Sequence, residues 1–411
     1  MDDMALYDRV YDLYERHDAD RLREYQHLVD VFPAVGSRLA LEQWQSAHDE
    51  LDARTAEIRE AFPEGETLAA VAAHATRDEA FTALDLLGKY GRAVNVLVLD
   101  VDETLRSAGR TDNEIPRETL QFLTELHEDG MPIVICTGQT LENVKGFMIQ
   151  GLGNELVHSG EMSIVYEAGT GVFTPGHAAD TKRLLYEHLD DDVRGVFDDV
   201  RSRVLSEAPE DIRRGCHLQG NEFNVTLKPN FQTGSDRAIA IVDEALCYLL
   251  DLLGDAVPGA TGEGARTFYA AEDPEIRGVL ERAGDLPETD PADLPEAATE
   301  TFGRIDVAYY EGDAAEIGSL ELNKRVGVEA AFEVLGIDDP FALVMGDSKS
   351  DLRVMEWVEE TGQGIAAAPE HASRDVLDHV IRTDELVFGA NGSVEMLRMV
   401  YALDRLAGLT D

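Results

Sequence analysis

The spacing of hydrophobic positions changes near residue 90. Before it, Tyr7, Val10, Tyr11 and Tyr14 fall at i, i+3, i+4 and i+7, and Leu22, Tyr25, Val29 and Phe32 repeat the idea ahead of Pro33. That period predicts amphipathic helices. Further helices are predicted over residues 39–62 and 78–90, the last ended by Gly91. From Val94 onward, short apolar runs alternate with amphipathic segments, as β-α-β units around a parallel sheet do. VNVLVL (94–99) reads as a first buried strand. The next helix carries Pro116 in its first turn, Leu120, Leu123 and Leu126 on one face, and Gly130 just past its end. PIVIC (132–136) is a second strand leading into Thr137 and Gly138, and FALVMGD (341–347) repeats the design of an apolar strand that ends in a carboxylate.

Between these runs the rhythm differs. EFNVTLK (222–228) places Phe223, Val225 and Leu227 on one face and Glu222, Asn224 and Thr226 on the other, the pattern of a half-exposed antiparallel strand. IDVAYYE (305–311) alternates likewise, and an apolar helix spans residues 238–253. The expected fold class is α/β. A Rossmann-like doubly wound parallel sheet core is formed by residues 93–168 and 321–411, an α+β domain is inserted over 169–320, and residues 1–92 make a helical region of their own. The Pro- and acid-rich stretch 285–300 is expected to be a surface loop within the insert. The N-terminal helices carry no chemical constellation, so packing or homo-oligomer formation is their expected role.

Charge narrows the functions open to such a chain. The 411 residues include 82 acidic and 35 basic side chains, a formal net charge of -47, which argues against nucleic acid and against an anionic membrane surface as partners. Only six lysines occur. Such a carboxylate-dense surface is expected of a salt-adapted, halophilic cytoplasmic protein. Cys136, Cys216 and Cys247 are too widely spaced to suggest a disulfide framework or a zinc site. The N-terminal stretch lacks a basic segment followed by an apolar one, so no secretory signal is expected.

In an open α/β sheet, residues that close successive strands meet at the carboxyl edge. Here these are Asp100 and Asp102, Thr137, and Asp347, with Lys324 opening an apolar-faced helix before the third strand. Three carboxylates, a hydroxyl and an ammonium suit phosphoryl transfer. A carboxylate nucleophile needs a divalent cation to approach a phosphate dianion, and hard oxygen ligands such as Asp100 and Asp347 suit Mg²⁺. Lys324 and Thr137 would hold the phosphate oxygens, and Asp102 could exchange protons with the leaving oxygen and then with water.

DVDET (100–104), CTG (136–138), NK (323–324) and GDSKSD (346–351) are similar, in that order, to the four motifs of the haloacid dehalogenase-like (HAD) superfamily of phosphohydrolases. The resemblance implies Asp100 as nucleophile and Asp102 as general acid/base. It implies phosphate binding by Thr137, Gly138 and Lys324, and Mg²⁺ bound through Asp100, Asp102 and Asp347 with Asp351 in support. The insert resembles the C2-type cap of Cof-like and sugar-phosphatase members, which implies a small phosphorylated metabolite, a sugar phosphate or phosphoglycolate, as substrate and partner. Glu103 stands where these subfamilies often have glycine, and Gln139 where many have arginine. Within the insert, Arg213, Arg214, His217 and Lys228 are candidates for the substrate's second polar end, with salt bridging at the surface as the alternative. Lys349 is expected to offset local negative charge. A phosphomutase of the phosphomannomutase type and an assembly or binding protein with residual phosphatase chemistry are the competing functions.

Overall fold

A computed structural model describes residues 3–31, 38–106, 114–390 and 392–410. Phe32 and Pro33, which the helical pattern included, lie outside these residues. The N-terminal helices are α1 (Asp3–Arg16), α2 (Ala19–Val31), α3 (Arg38–Ala61), α4 (Gly65–His74) and α5 (Arg77–Tyr90). Thr76 begins α5 with a reciprocal cap: its side chain accepts from the Glu79 N–H while Glu79 reaches back to the Thr76 N–H, and Gly91 ends the helix at φ +68°. The next helix, α6 (Arg117–Glu128), starts one residue after Pro116, which caps it rather than sitting in its first turn.

Among the described residues, twelve strands form two sheets. They are β1 (Val96–Leu99), β2 (Ile133–Cys136), β3 (Met162–Tyr166), β4 (Gly171–Phe173), β5 (Lys182–Leu184), β6 (Cys216–Leu218), β7 (Val225–Pro229), β8 (Ile305–Tyr310), β9 (Ala314–Ser319), β10 (Ala342–Met345), β11 (Gly364–Pro369) and β12 (Leu386–Phe388). The larger sheet runs β12-β11-β10-β1-β2-β3-β4-β5, parallel from β12 to β3 and antiparallel thereafter. The smaller, antiparallel throughout, runs β6-β7-β9-β8.

The central strands are continuously apolar because both faces of the sheet are covered. Leu97, Leu99, Ile133, Ile135, Leu343 and Met345 point to one core, while Val96, Val98, Val134, Cys136 and Val344 point to the other. The first core also contains Leu6, Val10, Leu13, Leu68, Val71, Leu84 and Leu87 from the N-terminal helices. These helices are therefore part of the same packed body as the sheet, not a region of their own. They reach it largely through the C-terminal helix Ser393–Ala407, against which α4 and α5 pack.

Two further expectations change. β4 and β5 extend the larger sheet, so the chain leaves that sheet after Leu184 rather than at residue 169. Residues 296–302, expected in a loop, form a short helix that buries Ala298 and Phe302, because two apolar positions four apart suffice to dock one turn on the neighbouring elements. Among the described residues no helix is long and apolar enough to cross a membrane.

Candidate active site

β1 lies between β10 and β2, and its hydrogen bonding continues one residue further: the Asp100 N–H donates to the Met345 carbonyl at 2.9 Å. Asp100 is thus fixed at the carboxyl end of a central strand and is almost fully buried. The chain then turns at once, with the N–H groups of Leu105 and Arg106 both donating to the Val101 carbonyl at 3.1 Å. Within this turn Glu103 takes φ +57°. A side chain there costs about 1 kcal/mol that glycine avoids, which is why Glu103 looked out of place in the sequence. His371 supports the turn, its Nε2 donating to the Glu103 carbonyl at 3.0 Å and lying 3.5 Å from Oε2.

Lys324 opens the helix Lys324–Leu335, capped by Asn323, whose Oδ1 accepts the Val326 N–H at 3.2 Å. Its buried Nζ donates to Asp100 Oδ1 at 2.7 Å and to Asp351 Oδ1 at 2.6 Å. Two glycines permit this approach. A Cβ on Gly169, which has φ +104°, would lie 2.0 Å from the Asn323 carbonyl oxygen, and one on Gly327 would lie 2.3 Å from a Val165 methyl. Neither glycine stood out in the sequence, because the contact they allow joins segments more than 150 positions apart.

Asp347 follows β10 and is half-buried. Asp351 lies in the first turn of the helix Lys349–Thr361, where its Oδ2 accepts from the Ser348 N–H at 3.1 Å and the Ser348 hydroxyl at 2.6 Å. Oxygens of Asp100, Asp347 and Asp351 lie within 4.8 Å of one another. Three carboxylates face one ammonium, an imbalance that shows in their titration. Burial, together with Asp351 and then Asp347, pushes the Asp100 carboxyl up against the opposing pull of Lys324. Burial, with the Asp351 charge, pushes Asp347 up to about 6. Lys324 is held in its charged form, since Asp100 and Asp351 outweigh the penalty of burial.

Asp102 departs from the expected metal set. One of its oxygens accepts from Gln139 Nε2 at 2.5 Å, and the other from Arg106 Nε and Nη2 at 3.0 and 2.8 Å. Its carboxylate is engaged by these two side chains, whereas an oxygen of Asp351 lies close to those of Asp100 and Asp347. The tight turn after Asp100 brings Asp102 to Gln139 in the loop after β2. Gln139, read from the sequence as a lost contact, is an Asp102 partner, and Arg106 was not singled out at all. Its spacing of four from Asp102 was the available signal. Thr137 is fully buried, its Oγ1 accepting the Gln139 N–H at 3.1 Å, and Gly138 is exposed beside it.

The candidates outside the core divide. Lys349 is exposed, with Asp375 at 3.7 Å. Arg213 donates to the Ala208 carbonyl at 2.7 Å, and Arg214 pairs with Glu210 at 2.6 Å. Both lie on the helix Glu210–Gly215, which packs on the long helix Ser235–Ala256 behind the smaller sheet. His217 and Lys228 face each other across β6 and β7, and Lys228 pairs with Asp313 at 3.2 Å. Lys228 shares a sheet face with Thr226, Glu316 and Asp306, the face opposite the buried Val225, Leu227, Ile317 and Val307. That polar face looks toward the carboxyl edge of the larger sheet. Tyr310 is within electrostatic reach of Lys324, Asp306 of Arg353, and Glu316 of Glu167.

The connection between the sheets holds a residue the sequence did not reveal. Glu167 is buried and accepts the N–H groups of Glu222 and Phe223 at 2.5 and 3.1 Å, tying the end of β3 to the segment entering β7. Glu167 and Ala168 both have positive φ, 47° and 54°.

Residues 97–173 match the family described as haloacid dehalogenase-like hydrolase. The matched segment runs from β1 to β4 and contains Asp100, Asp102 and Thr137. That segment sits in a parallel sheet with helices on both faces and an acidic strand edge, and it is similar over these residues to haloacid dehalogenase-like hydrolases. No curated protein matches the chain. Among solved structures, the chain is similar to a haloacid dehalogenase-like hydrolase from Bacteroides thetaiotaomicron (14% identity, 75% of this chain and 98% of that one, TM-score 0.42). It is also similar to the Thermotoga maritima protein TM0651 (14%, 76% and 97%, TM-score 0.43) and to a HAD subclass IIB sugar phosphatase (15%, 72% and 94%, TM-score 0.39).

Proposed function

We propose that the protein is a Mg²⁺-dependent phosphatase that hydrolyses a small phosphorylated metabolite through an aspartyl-phosphate. The observation that carries this reading is the buried Lys324 ammonium bridging Asp100 and Asp351, with Asp347 alongside. Hard oxygen donors carrying a surplus of negative charge fit Mg²⁺, which Asp100, Asp347 and Asp351 would hold and which would neutralise charge between nucleophile and phosphate.

Asp100 attacks phosphorus as the bond from phosphorus to the leaving oxygen breaks. Asp102, swung off Gln139 and Arg106, gives that oxygen its proton. Asp102 then takes a proton from water, the water oxygen attacks phosphorus, and the bond to Asp100 breaks, releasing phosphate and restoring the carboxylate. Lys324 and the Thr137 hydroxyl hold the non-bridging oxygens as charge spreads over them. The smaller sheet is the cap that closes over the site and excludes bulk water.

The lining of that sheet supports a hydroxyl-rich leaving group of the sugar-phosphate class over phosphoglycolate. Glu316 accepts from Thr226 Oγ1 at 2.5 Å and Asn224 Nδ2 at 3.3 Å, Asp306 shares its face, and Lys228 is already paired with Asp313. Carboxylates accept from hydroxyls and repel a second carboxylate.

The test is phosphate release from sugar phosphates, phosphoglycolate and an aryl phosphate in molar potassium chloride, with Mg²⁺ or chelator, for wild type and Asp100→Asn. Metal-dependent release that falls at least ~10³-fold in the variant is expected. Equal release from both folded proteins would reject the phosphatase reading.

A further inference from the structure

A second group of ligating side chains lies far from Asp100, where the N-terminal helices meet the core. Asp30 near the end of α2, His74 at the end of α4 and Glu125 on α6 bring one ligand atom each within 4.8 Å of one another. His74 is only 9% exposed and its ring is held between Tyr401 and Phe122, at centroid distances of 4.6 and 5.9 Å.

The tautomer follows from its neighbours. Nδ1 lies 2.9 Å from the Ala70 carbonyl, which can only accept, so Nδ1 carries a proton. The other nitrogen, Nε2, is buried and makes no hydrogen bond. It faces Glu125 Oε1 at 3.2 Å and Asp30 Oδ2 at 3.9 Å. In the neutral imidazole, a lone pair would point at two carboxylates, an arrangement of three acceptors that calls for a cation between them. A proton on Nε2 shared with Glu125 Oε1 at 3.2 Å is the competing occupant, but it leaves Asp30, at 3.9 Å, beyond hydrogen-bond reach. The separations suit a metal better. Ligands bound at about 2.1 Å around a tetrahedral zinc ion stand about 3.4 Å apart, between the two observed distances.

The surroundings complete such a site. An N–H donated to a backbone carbonyl is the usual way a metal-bound histidine is oriented, and Gln26 Nε2 donates to both Asp30 oxygens at 2.8 Å. A cavity of about 30 Å³ opens beside Asp30 and His74, room for a water in the fourth position. The nearby cations are already engaged, Arg398 with Glu118 and Glu79, and Arg23 with Asp20 and the Ala75 carbonyl.

We infer that Asp30, His74 and Glu125 form a binding site for a divalent transition metal of the zinc class, which clips α2 and α4 to α6. One imidazole with two carboxylates favours such an ion over Mg²⁺, which prefers oxygen alone. The inference does not rest on the phosphatase reading.

The test uses the full chain carrying Asp347→Asn, which removes one carboxylate of the other acidic group, and compares it with the same chain also bearing Asp30→Asn or Glu125→Gln. Each is loaded with Zn²⁺, freed of excess and assayed for zinc per chain and for thermal midpoint. One zinc per chain is expected in the parent and its loss in both doubles, with a zinc-dependent rise of about 3 °C or more in the parent only. In the parent alone, Zn²⁺ should shift the ¹⁵N resonance of His74 Nε2, a readout that survives if a double variant fails to fold. No zinc in the parent, zinc kept equally by the doubles, or an Nε2 resonance that stays that of a protonated ring would overturn it.

Discussion

The two sheets present their polar groups toward one another, and they balance negative charge by different means. At the carboxyl edge of the larger sheet, Asp100, Asp347 and Asp351 surround a buried lysine that bonds two of them. On the smaller sheet, Glu316 accepts from the neutral groups of Thr226 and Asn224, and Asp306 lies on the same face. The first arrangement is built around full charges and suits the handling of a dianion. The second offers directional acceptors and suits hydroxyl groups. In a chain with a net charge of -47, the first edge holds a buried cation and the second face holds acceptors.

Breaking the first arrangement should have the larger effect. Lys324→Met leaves Asp100 and Asp351 buried without their cation, so kcat should fall by ~10²–10³ and the metal-free protein should lose about 3–5 kcal/mol. Added Mg²⁺ should recover part of the stability and little of the rate. Denaturant unfolding with and without Mg²⁺ checks this; unchanged stability in chelator would mean the pair is not the electrostatic centre it looks to be.

On the second face, Glu316→Gln keeps the shape and removes the charge. For the preferred sugar phosphate, KM should rise roughly tenfold while kcat changes little, and an aryl phosphate should be indifferent. An equal loss for both substrates would erase the proposed division of labour.

Acid should act more gently, and on both regions in the same direction, since the carboxyls of Asp100 and Asp347 are raised as well. Burial is the leading cause that raises the carboxyls of Glu316, Asp306 and Glu167 above the ordinary range. A raised folded-state value means the folded protein takes up protons before the unfolded chain does. The corresponding stability is fully present below the usual carboxylate value near ~4 and is lost as pH rises through the folded values. In chelator at constant salt, the thermal midpoint should therefore climb by a few degrees, on the order of 3 °C, between pH 7.5 and 5, and Glu316→Gln should climb less. A midpoint that falls over this window would contradict the assignment.

The smallest effect is expected at the turn after Asp100. Glu103→Gly relieves the φ of +57° but loosens the unfolded chain and removes the His371 contact, so stability should move by no more than about 1 kcal/mol and kcat by less than about threefold. A large loss of activity would show that the Glu103 side chain, and not only its backbone shape, serves the site.

Much of this was legible in the chain. Val96–Leu99, Ile133–Cys136 and Ala342–Met345 announced themselves because strands covered on both faces must be apolar throughout, and the residues closing them had to meet wherever parallel strands align. The alternation of β7 and β8 was equally plain, because one face of each packs on helices and the other does not. Short strands such as β4, β5, β6 and β12, of three residues each, carry too few positions to show a period.

What the sequence determined by itself was the type of core, its strand order of carboxylates, hydroxyl and lysine, and the strongly negative net charge. These depend on local periodicity and on composition. Only the tertiary structure decided that Asp102 turns to Gln139 and Arg106 while Asp351 joins Asp100, that Gly169 and Gly327 admit Lys324, that the N-terminal helices share the sheet's core, and that Asp30, His74 and Glu125 converge. Each of these is a contact between segments whose neighbours in sequence say nothing of one another, and packing alone brings them within reach.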